Sequence, residues 1–175
     1  MNDDEYKLDH NEHLDALTGY LNKTYFELRI KKMEEAGVAP AAIVCANIND
    51  WKFANDHYGD EESDRLIKII ADVIRGEAKD GYVLGRVDGD VFEIIIPNPE
   101  EGEAEDFCKR IQEKCQTYED SILAPSIAVG LVYRISVEEP FKERYSDAEY
   151  EMFQNKLEMK HTYGYQERLV KGIMR

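Results

Sequence analysis

The first residues that could do chemistry are two carboxylates on either side of a glycine. Asp88 and Asp90 flank Gly89 between two β-rich runs, residues 82–87 and 90–96. An Asp-Gly pair between such runs is a strong hairpin signal, because both residues tolerate a positive φ angle. Glycine also lets another group approach the backbone closely. The sequence therefore predicts a hairpin turn that carries two carboxylates.

The apolar run at residues 41–46 is the strand that we expect to lie beside this hairpin. Asn47 and Asn49 follow it directly, at the carboxyl end of a central strand, where α/β proteins place ligands. Together with the turn, these amides could hold a divalent cation or a phosphate. From the residues alone a second interpretation remains open, in which no such site exists: Asp88 and Gly89 form only a turn, and Asp90 is a surface acid.

Helical spacing of apolar residues predicts the elements around this strand. Asn22 is the predicted N-cap of a first helix that carries Phe26 on its apolar face. Residues 47–59 read as a polar loop. Asp60 is the predicted N-cap of a second helix, with acidic residues in its first turn as the helix dipole favours.

The second half of the chain continues the alternation of helices and strands. After the hairpin we predict a helix at residues 101–117, a strand at 126–133 and a last helix at 146–160, which should point Phe153 and Leu157 inward. The order helix-strand-helix-hairpin-helix-strand-helix predicts an α/β (α+β) fold with a central mixed β-sheet flanked by helices.

Composition excludes several classes of function. Lys plus Arg number 22 against 37 Asp plus Glu, a formal net charge of −15, which argues against sequence-independent binding to nucleic acid. No run approaches the roughly 20 apolar residues that a membrane helix requires. The three cysteines form no CxxC pair and are predicted to be reduced core residues of a cytoplasmic protein.

Five segments resemble the motifs of GGDEF domains, in the same order and spacing. They are residues 15–23 (family DxLTGLxNR), residues 47–56 (DxDxFKxxND), Asp64 (the last position of GHxxGD), Arg86 followed by Asp88-Gly89-Asp90-Val91-Phe92 (GGDEF or GGEEF), and residues 152–156 (MYxxK). Each motif alone is a weak signal, but five in register are specific. The resemblance covers about residues 14–160.

This resemblance implies a nucleotidyl-cyclase-like GGDEF fold and a link to cyclic di-GMP signalling. In that family two GTP-loaded domains face each other and condense two GTP molecules into cyclic di-GMP. The first Asp of DxDxFK, the next carbonyl and the third signature residue hold the metal ions, and the Glu after it serves the attacking hydroxyl. In this chain those positions are Asn47, Ile48, Asp90 and Val91.

The family's nucleotide-recognition residues are kept. By the resemblance, Asn55 and Asp64 offer guanine an amide and a carboxylate. Lys156 and Lys160 are four residues apart, so both ammonium groups project from one helix face toward one anion. Lys52 is a further candidate for phosphate binding. The alternative for the two late lysines is a solvated helix face.

The catalytic residues are not kept. Asn47 replaces a charged oxygen ligand with an amide, so Mg²⁺ is expected to bind weakly to Asp90, the Ile48 carbonyl and Asn47. Val91 cannot accept a proton or bind an ion. Asp88 replaces the first glycine and would repel a triphosphate. We therefore predict no catalytic residue in this signature and no efficient cyclase activity.

Three hypotheses for function remain open at this stage. The first is a degenerate, catalytically inactive GGDEF domain that acts in signalling by binding GTP or a related guanine nucleotide. The second is a dimerisation or interaction scaffold without a ligand, favoured by the net charge of −15 and by Asp88 in the pocket. The third is a weak diguanylate cyclase.

Domain boundaries and partners are expectations of the same kind. We predict an acidic linker or tail at residues 1–13, a GGDEF-like domain at 14–162 and a C-terminal extension at 163–175 without an assignment. The expected partners are a guanine nucleotide and either a second copy of the chain, a sensor domain or another GGDEF or EAL-type protein. No nucleic acid partner and no membrane segment are expected.

Overall fold

The computed structural model describes residues 10–119, 122–162, 164–165 and 168–169. The predicted linker falls mostly on residues 1–9, which lie outside them, as does most of the extension after residue 162. The elements in chain order are α1 (His10–His13), β1 (Leu21–Asn22), α2 (Lys23–Glu35), β2 (Ala41–Ile48), α3 (Trp51–Tyr58), α4 (Asp60–Glu77), β3 (Val83–Asp88), β4 (Val91–Pro97), α5 (Glu103–Thr117), β5 (Ile127–Arg134) and α6 (Phe141–Lys160).

The described strands form one mixed sheet in the order β1-β3-β4-β2-β5. Strand β2 lies between β4 and β5 and is antiparallel to both, while β1 is parallel to β3. Every residue of β2 is buried, as expected for a central strand with helices on both faces. The predicted α/β (α+β) fold with a central mixed sheet is confirmed.

Side chains of β2 alternate between two apolar layers. Ile43 and Cys45 pack with Phe26 of α2 and Met152 of α6, whereas Val44 and its even-numbered neighbours pack with residues of α4 and α5. Helices α2 and α6 therefore cover one face of the sheet, and α4 and α5 cover the other. The predicted cap of α2 is confirmed, since the Asn22 Oδ1 accepts a hydrogen bond from the Tyr25 amide at 3.0 Å.

The prediction of a polar loop at residues 47–59 is wrong. Strand β2 extends to Ile48, and residues 51–58 form helix α3, of which only Ala54 is buried. Trp51, Ala54 and Tyr58 do lie at helical spacing, but the eight residues of α3 are fewer than the roughly 11–18 in which such spacing is a usable signal. Gly59, at a φ angle of 85°, takes the N-cap position of α4, so Asp60 is the first helical residue rather than the cap.

The predicted orientation of the last helix is also wrong. Phe153 and Leu157 are 56% and 53% exposed, and the helix begins at Phe141 rather than at residue 146. Its inner face carries the buried apolar residues Phe141, Ala148 and Met152. Polar contacts follow on the same face: the Asn155 Oδ1 accepts a hydrogen bond from the Val129 amide at 2.8 Å, and Lys156 contacts Asn47. Phe153 and Leu157 each lie one position, about 100° of rotation, past residues of this inner face.

The hairpin turn lies one residue later than predicted. Asp88 pairs with Val91 across the hairpin, so Gly89 and Asp90 form the turn, and a register irregularity between Arg86 and Asp88 accounts for the shift. Neither turn residue has a positive φ angle. A β-carbon at Gly89 would lie 3.4 Å from the Trp51 ring, an ordinary contact distance.

Gly130 is the closest point between β5 and α6. A β-carbon built at this position would lie 2.1 Å from the Ala148 carbonyl oxygen and 2.4 Å from the Met152 amide nitrogen, both backbone atoms of α6. Backbone atoms cannot rotate away as a flexible side chain can. Helix α6 therefore docks on the sheet only if this residue has no side chain.

We expect Gly130→Ala to lower the free energy of unfolding by about 2 kcal/mol or more, because the added methyl forces α6 off the strand. Urea denaturation followed by circular dichroism measures this. Gly76→Ala is the matched control, since nothing lies within 4 Å of a β-carbon there and removing a helical glycine should stabilise the protein by about 0.5–1 kcal/mol. Equal stability of Gly130→Ala and the wild type would contradict the close docking.

Candidate functional site

Asn47 lies at the centre of the candidate site, where β2 ends beside the hairpin turn. Its side chain is buried, and its Nδ2 donates to the Asp90 carbonyl oxygen at 3.2 Å. The Ile48 amide donates to the same oxygen at 3.0 Å. The structure thus brings Asn47, Ile48 and Asp90 together.

Lys156 completes this cluster from α6. Its ammonium group donates a hydrogen bond to the Asn47 Oδ1. Burial lowers the pKa of Lys156, while the nearby carboxylates of Asp90 and Asp50 act in the opposite direction. The amide oxygen at the family's first metal-ligand position therefore already accepts a bond from a cation that belongs to the protein.

These residues do not fit Mg²⁺. A magnesium ion is held mainly by carboxylate oxygens in near-ideal octahedral geometry, whereas the Asn47 oxygen is neutral and faces an ammonium group. Among the described residues no group of three or more His, Cys, Asp or Glu side chains is arranged to hold a metal ion.

Asn49 does not join this cluster. Its Nδ2 donates to the Ser126 Oγ at 2.9 Å, on the far side of β2 from the hairpin, and lies 3.4 Å from the Met159 sulfur. The prediction that the hairpin turn lies near both asparagines is therefore right for Asn47 and wrong for Asn49. The reason is that β5, rather than the hairpin, provides the neighbour of Asn49.

The other two altered signature positions face different surroundings. Asp88 is exposed, and its carboxylate accepts a hydrogen bond from the Gly89 amide at 2.7 Å. Val91 is half-buried and packs against the apolar layer beneath α2 and α6. Phe92 points to the opposite face and is fully buried. The hairpin thus presents one carboxylate to solvent and an isopropyl group beside it.

Asn55 lies on α3 and contacts the first turn of α4. Its Nδ2 donates to the Asp60 Oδ1 and to the Ser63 Oγ, both at 3.0 Å. An amide has two N–H donors, so both are used and only the carbonyl oxygen is left to meet a ligand. Asp64 follows Ser63 directly and is exposed, so the predicted guanine-reading pair lies on adjacent elements.

Two further predicted phosphate ligands are exposed. Lys160 lies one turn after Lys156 on α6, and Lys52 lies in the first turn of α3. Lys160 is near enough to Lys156 to contribute to the lowering of the Lys156 pKa. The structure therefore places the two late lysines beside each other, with one of them bound to Asn47 and the other open to solvent.

An ion pair between Asp15 and Arg86 holds the hairpin to the segment before β1. The Arg86 Nη1 lies 3.1 and 3.2 Å from the two carboxylate oxygens of Asp15, and its Nε and Nη2 donate to the Gly89 carbonyl oxygen. Thr18 donates two more bonds to Asp15. The sequence marks both residues only as motif positions, since their contact links segments 71 residues apart.

Asp50 shows a second contact that the sequence does not reveal. It has a φ angle of 63°, in the left-handed region that Asp tolerates better than most residues. Its carboxylate accepts hydrogen bonds from the Tyr165 hydroxyl at 2.6 Å and the Arg168 Nη1 at 2.7 Å. Residues beyond α6 therefore pack against the loop that joins β2 to α3.

The family follows from a comparison of the whole chain with known families. The model described as "Diguanylate cyclase, GGDEF domain" matches residues 12–162. The chain belongs to the GGDEF family. It is therefore related to diguanylate cyclases and to cyclic di-GMP signalling.

Curated relatives match over part of their length. This chain is 29% identical over 103 residues to the cyclic di-GMP phosphodiesterase NbdA of Pseudomonas aeruginosa. The match covers 57% of this chain and 13% of that protein. It is 27% identical over 106 residues to the probable diguanylate cyclase DgcT of Escherichia coli, covering 59% of this chain and 23% of that protein. The matched region is thus less than a quarter of either relative.

A solved structure has the same fold. The coiled coil and GGDEF domain of DgcB from Caulobacter crescentus, in complex with cyclic di-GMP, superposes with a TM-score of 0.79 at 19% identity, covering 87% of this chain and 85% of that one. This likeness supports the fold alone. Within the described residues, no helix is both long enough and apolar enough to cross a membrane.

We expect Asp15→Asn to lower the free energy of unfolding at neutral pH by about 2 kcal/mol, because a charge-assisted bond to half-buried Arg86 is lost. Partial burial alone raises the pKa of Asp15, but bonds from Thr18 and Arg86 outweigh it and hold the pKa below its ordinary value. The stabilisation is therefore complete above about pH 4 and is lost as the pH falls through the folded-state pKa.

Urea titrations of both proteins between about pH 7 and about pH 2.5 measure this difference. The stability curves of the wild type and Asp15→Asn should converge at the acidic end. Asp72→Asn is a suitable control, because the Asp72 carboxylate is 76% exposed in its pair with Arg75 and should contribute little. A constant gap between wild type and Asp15→Asn at all pH values would contradict the assignment.

Proposed function

We propose that this chain is a degenerate, non-catalytic GGDEF domain that binds GTP or a related guanine nucleotide and acts in signalling by its conformation. The observation that carries the proposal is the bond from the Lys156 ammonium to the Asn47 Oδ1. It places a protein cation beside the amide that replaces the first metal carboxylate. The same lysine, with Lys160, is the family's candidate for holding phosphates.

The lost activity follows from three substitutions that act together. Phosphoryl-transfer catalysis depends on metal ions that neutralise developing charge, and Asn47 provides no charge to hold one. Val91 cannot assist the attacking hydroxyl. Asp88 adds an exposed carboxylate on the hairpin where the family has a glycine. If Mg²⁺ binds at all, we expect it to bind weakly and to arrive with the nucleotide's own phosphates.

Nucleotide recognition has support in the acceptors that remain open. Within the described part of the chain, the hydrogen bonds of the Asn55 side chain are made by its Nδ2, which leaves the Oδ1 to accept, and the Asp64 carboxylate one element away is exposed. Guanine presents N–H donors on its edge that suit two oxygen acceptors. Lys156, Lys160 and Lys52 would meet the phosphates. The remaining partners in this proposal are a second copy, a sensor domain or another GGDEF or EAL-type protein.

A scaffold without a ligand is the second candidate, and one observation favours it. Both N–H groups of Asn55 are already bonded to Asp60 and Ser63. A ligand that needs an amide donor at this position would have to break one of these bonds. In the scaffold case the fold would act only through its surfaces.

Calorimetric titration with GTP separates these two candidates. We expect saturable binding, with a Kd that changes by less than about threefold between Mg²⁺ and EDTA, because Lys156 rather than a metal meets the phosphates. ATP should bind about tenfold more weakly, since it lacks guanine's N–H pattern. No heat from GTP at millimolar concentration would leave the scaffold as the function.

Two variants test the residues in this titration. Lys156→Met and Asn55→Ala should each weaken GTP binding by about tenfold or more. Lys109→Met is the control, because Lys109 lies on α5 with a side chain 74% exposed. Thermal melting of each variant checks folding. Unchanged binding in both site variants would place the nucleotide elsewhere.

The catalytic loss is tested by restoring the family residues. An overnight incubation of the wild type with GTP and Mg²⁺ or Mn²⁺ should yield no cyclic di-GMP by chromatography. The triple variant Asn47→Asp, Asp88→Gly, Val91→Glu should yield detectable product, because the ion's carboxylate ligand and the acid beside it return. Product from the wild type would show a weak diguanylate cyclase and contradict the proposal.

A further inference from the structure

A cavity of about 570 Å³ lies on the face of the sheet covered by α2 and α6, between those helices and the hairpin strands. Its walls include the apolar side chains of Ile30, Val87 and Val91, together with the ring of Tyr145. Carboxylates of both helices and of β4 also line it. None of the candidate nucleotide ligands, Asn55, Asp64, Lys52, Lys156 and Lys160, is among its lining residues.

Glu93 provides the buried polar group of this cavity. It lies on β4 and is only 8% exposed, between Val91 and Ile95 on the same face of the strand. Glutamate is rarely buried to this extent unless it has a charged partner. Among the described residues Glu93 makes no ion pair, and its polar neighbour is the neutral Tyr145 hydroxyl.

The charges that face Glu93 are mainly negative. Glu149 lies on α6 and Glu27 on α2, and both disfavour its ionised form. Burial, followed by Glu149, raises the pKa of Glu93 to about 8. The other titratable or charged groups on the surrounding elements are Lys23, Lys31 and Glu34 on α2, Lys142 and Tyr145 on α6, Cys45 on β2 and Asp88 on β3.

These lysines do not neutralise the carboxyl. Lys23 favours ionisation of Glu93 less than burial and Glu149 oppose it. The interior of the cavity therefore holds a carboxyl group with acidic neighbours and apolar walls. A ligand with a cationic group for Glu93 and hydrocarbon for Ile30 and Val91 would complement these groups.

We propose that this cavity is a second binding site, which takes a small organic amine or guanidinium whose cationic group pairs with Glu93 and whose carbon chain packs on Ile30 and Val91. The proposal does not depend on nucleotide binding at Asn47 and Lys156. It does place a ligand against the hairpin, since Val87, Asp88 and Val91 line the cavity. The turn between Asp88 and Val91 carries Asp90, whose carbonyl oxygen accepts a hydrogen bond from Asn47.

Calorimetry of the full chain with putrescine and with agmatine tests this site, and 1,4-butanediol is the neutral control of similar length. We expect saturable binding of at least one of the two cations and none of the diol. Affinity should rise between about pH 6 and about pH 8.5, because Glu93 must lose its proton to pair with the cation. No saturable binding of either cation at millimolar concentration would overturn the proposal.

Two substitutions assign the binding to Glu93. Glu93→Gln keeps the shape of the side chain and should weaken cation binding by about tenfold or more and abolish the pH dependence. Glu149→Lys should also weaken cation binding, because it places an ammonium group of the protein itself at the cavity. Glu149 is exposed on α6, so this substitution leaves the core unchanged. Glu151→Gln, also exposed on α6, is the control.

The outcomes are separable from those of the nucleotide experiments. Cation binding that both Glu93→Gln and Glu149→Lys leave unchanged would overturn the assignment, as would equal binding of the diol. Whether the wild type binds GTP does not affect either of these two outcomes. Failure at this cavity would therefore leave the proposal for the nucleotide site intact, and the reverse also holds.

Discussion

The direct backbone contact between α6 and β5 at Gly130 determines where the functional groups of this domain lie. Because Gly130 has no side chain, the helix lies against the strand, and Asn155 can bond to the amide of Val129. This docking fixes the next residue, Lys156, over Asn47 at the end of β2. The helix thus serves both as a wall of the core and as the source of the cation at the site.

The substitutions at the site are mutually consistent in charge. The family pairs carboxylates with divalent ions, whereas here a neutral amide at position 47 faces a single positive charge from Lys156. The neutral amide and the lysine therefore form a satisfied, half-buried polar contact.

The parts of the fold with strong local signals could be predicted from the sequence. The run before Asn47 is apolar throughout and forms the central strand, and Asn22 caps its helix as expected. The errors lie where side-chain polarity and burial disagree. Helix α3 buries only Ala54, and α6 turns Phe153 and Leu157 outward because Asn155 and Lys156 have partners on the sheet.

For the candidate site, the order of the motifs in the sequence identified the residues but did not predict which of them are in contact. The positions of Asn47 and Asp90 could be anticipated because paired strands bring them together. The ion pair of Arg86 with Asp15 and the cavity around Glu93 could not, since they join segments distant in the chain. Glu93 is the one charged residue in the otherwise apolar strand β4, and the sequence does not show what surrounds it. Only the packing of α2 and α6 above it makes its burial evident.

The packing of Tyr165 and Arg168 onto Asp50 has a practical consequence for any truncation of this protein. The family match stops at residue 162, so a sequence-based boundary would remove both residues. It would also remove Leu169, which packs with Ala54, Leu66 and Leu123. A chain shortened at that boundary would lose the two donors that restrain Asp50, next to Lys52. The loop that joins β2 to α3 would then lack the hydrogen bonds that Asp50 accepts in the intact chain.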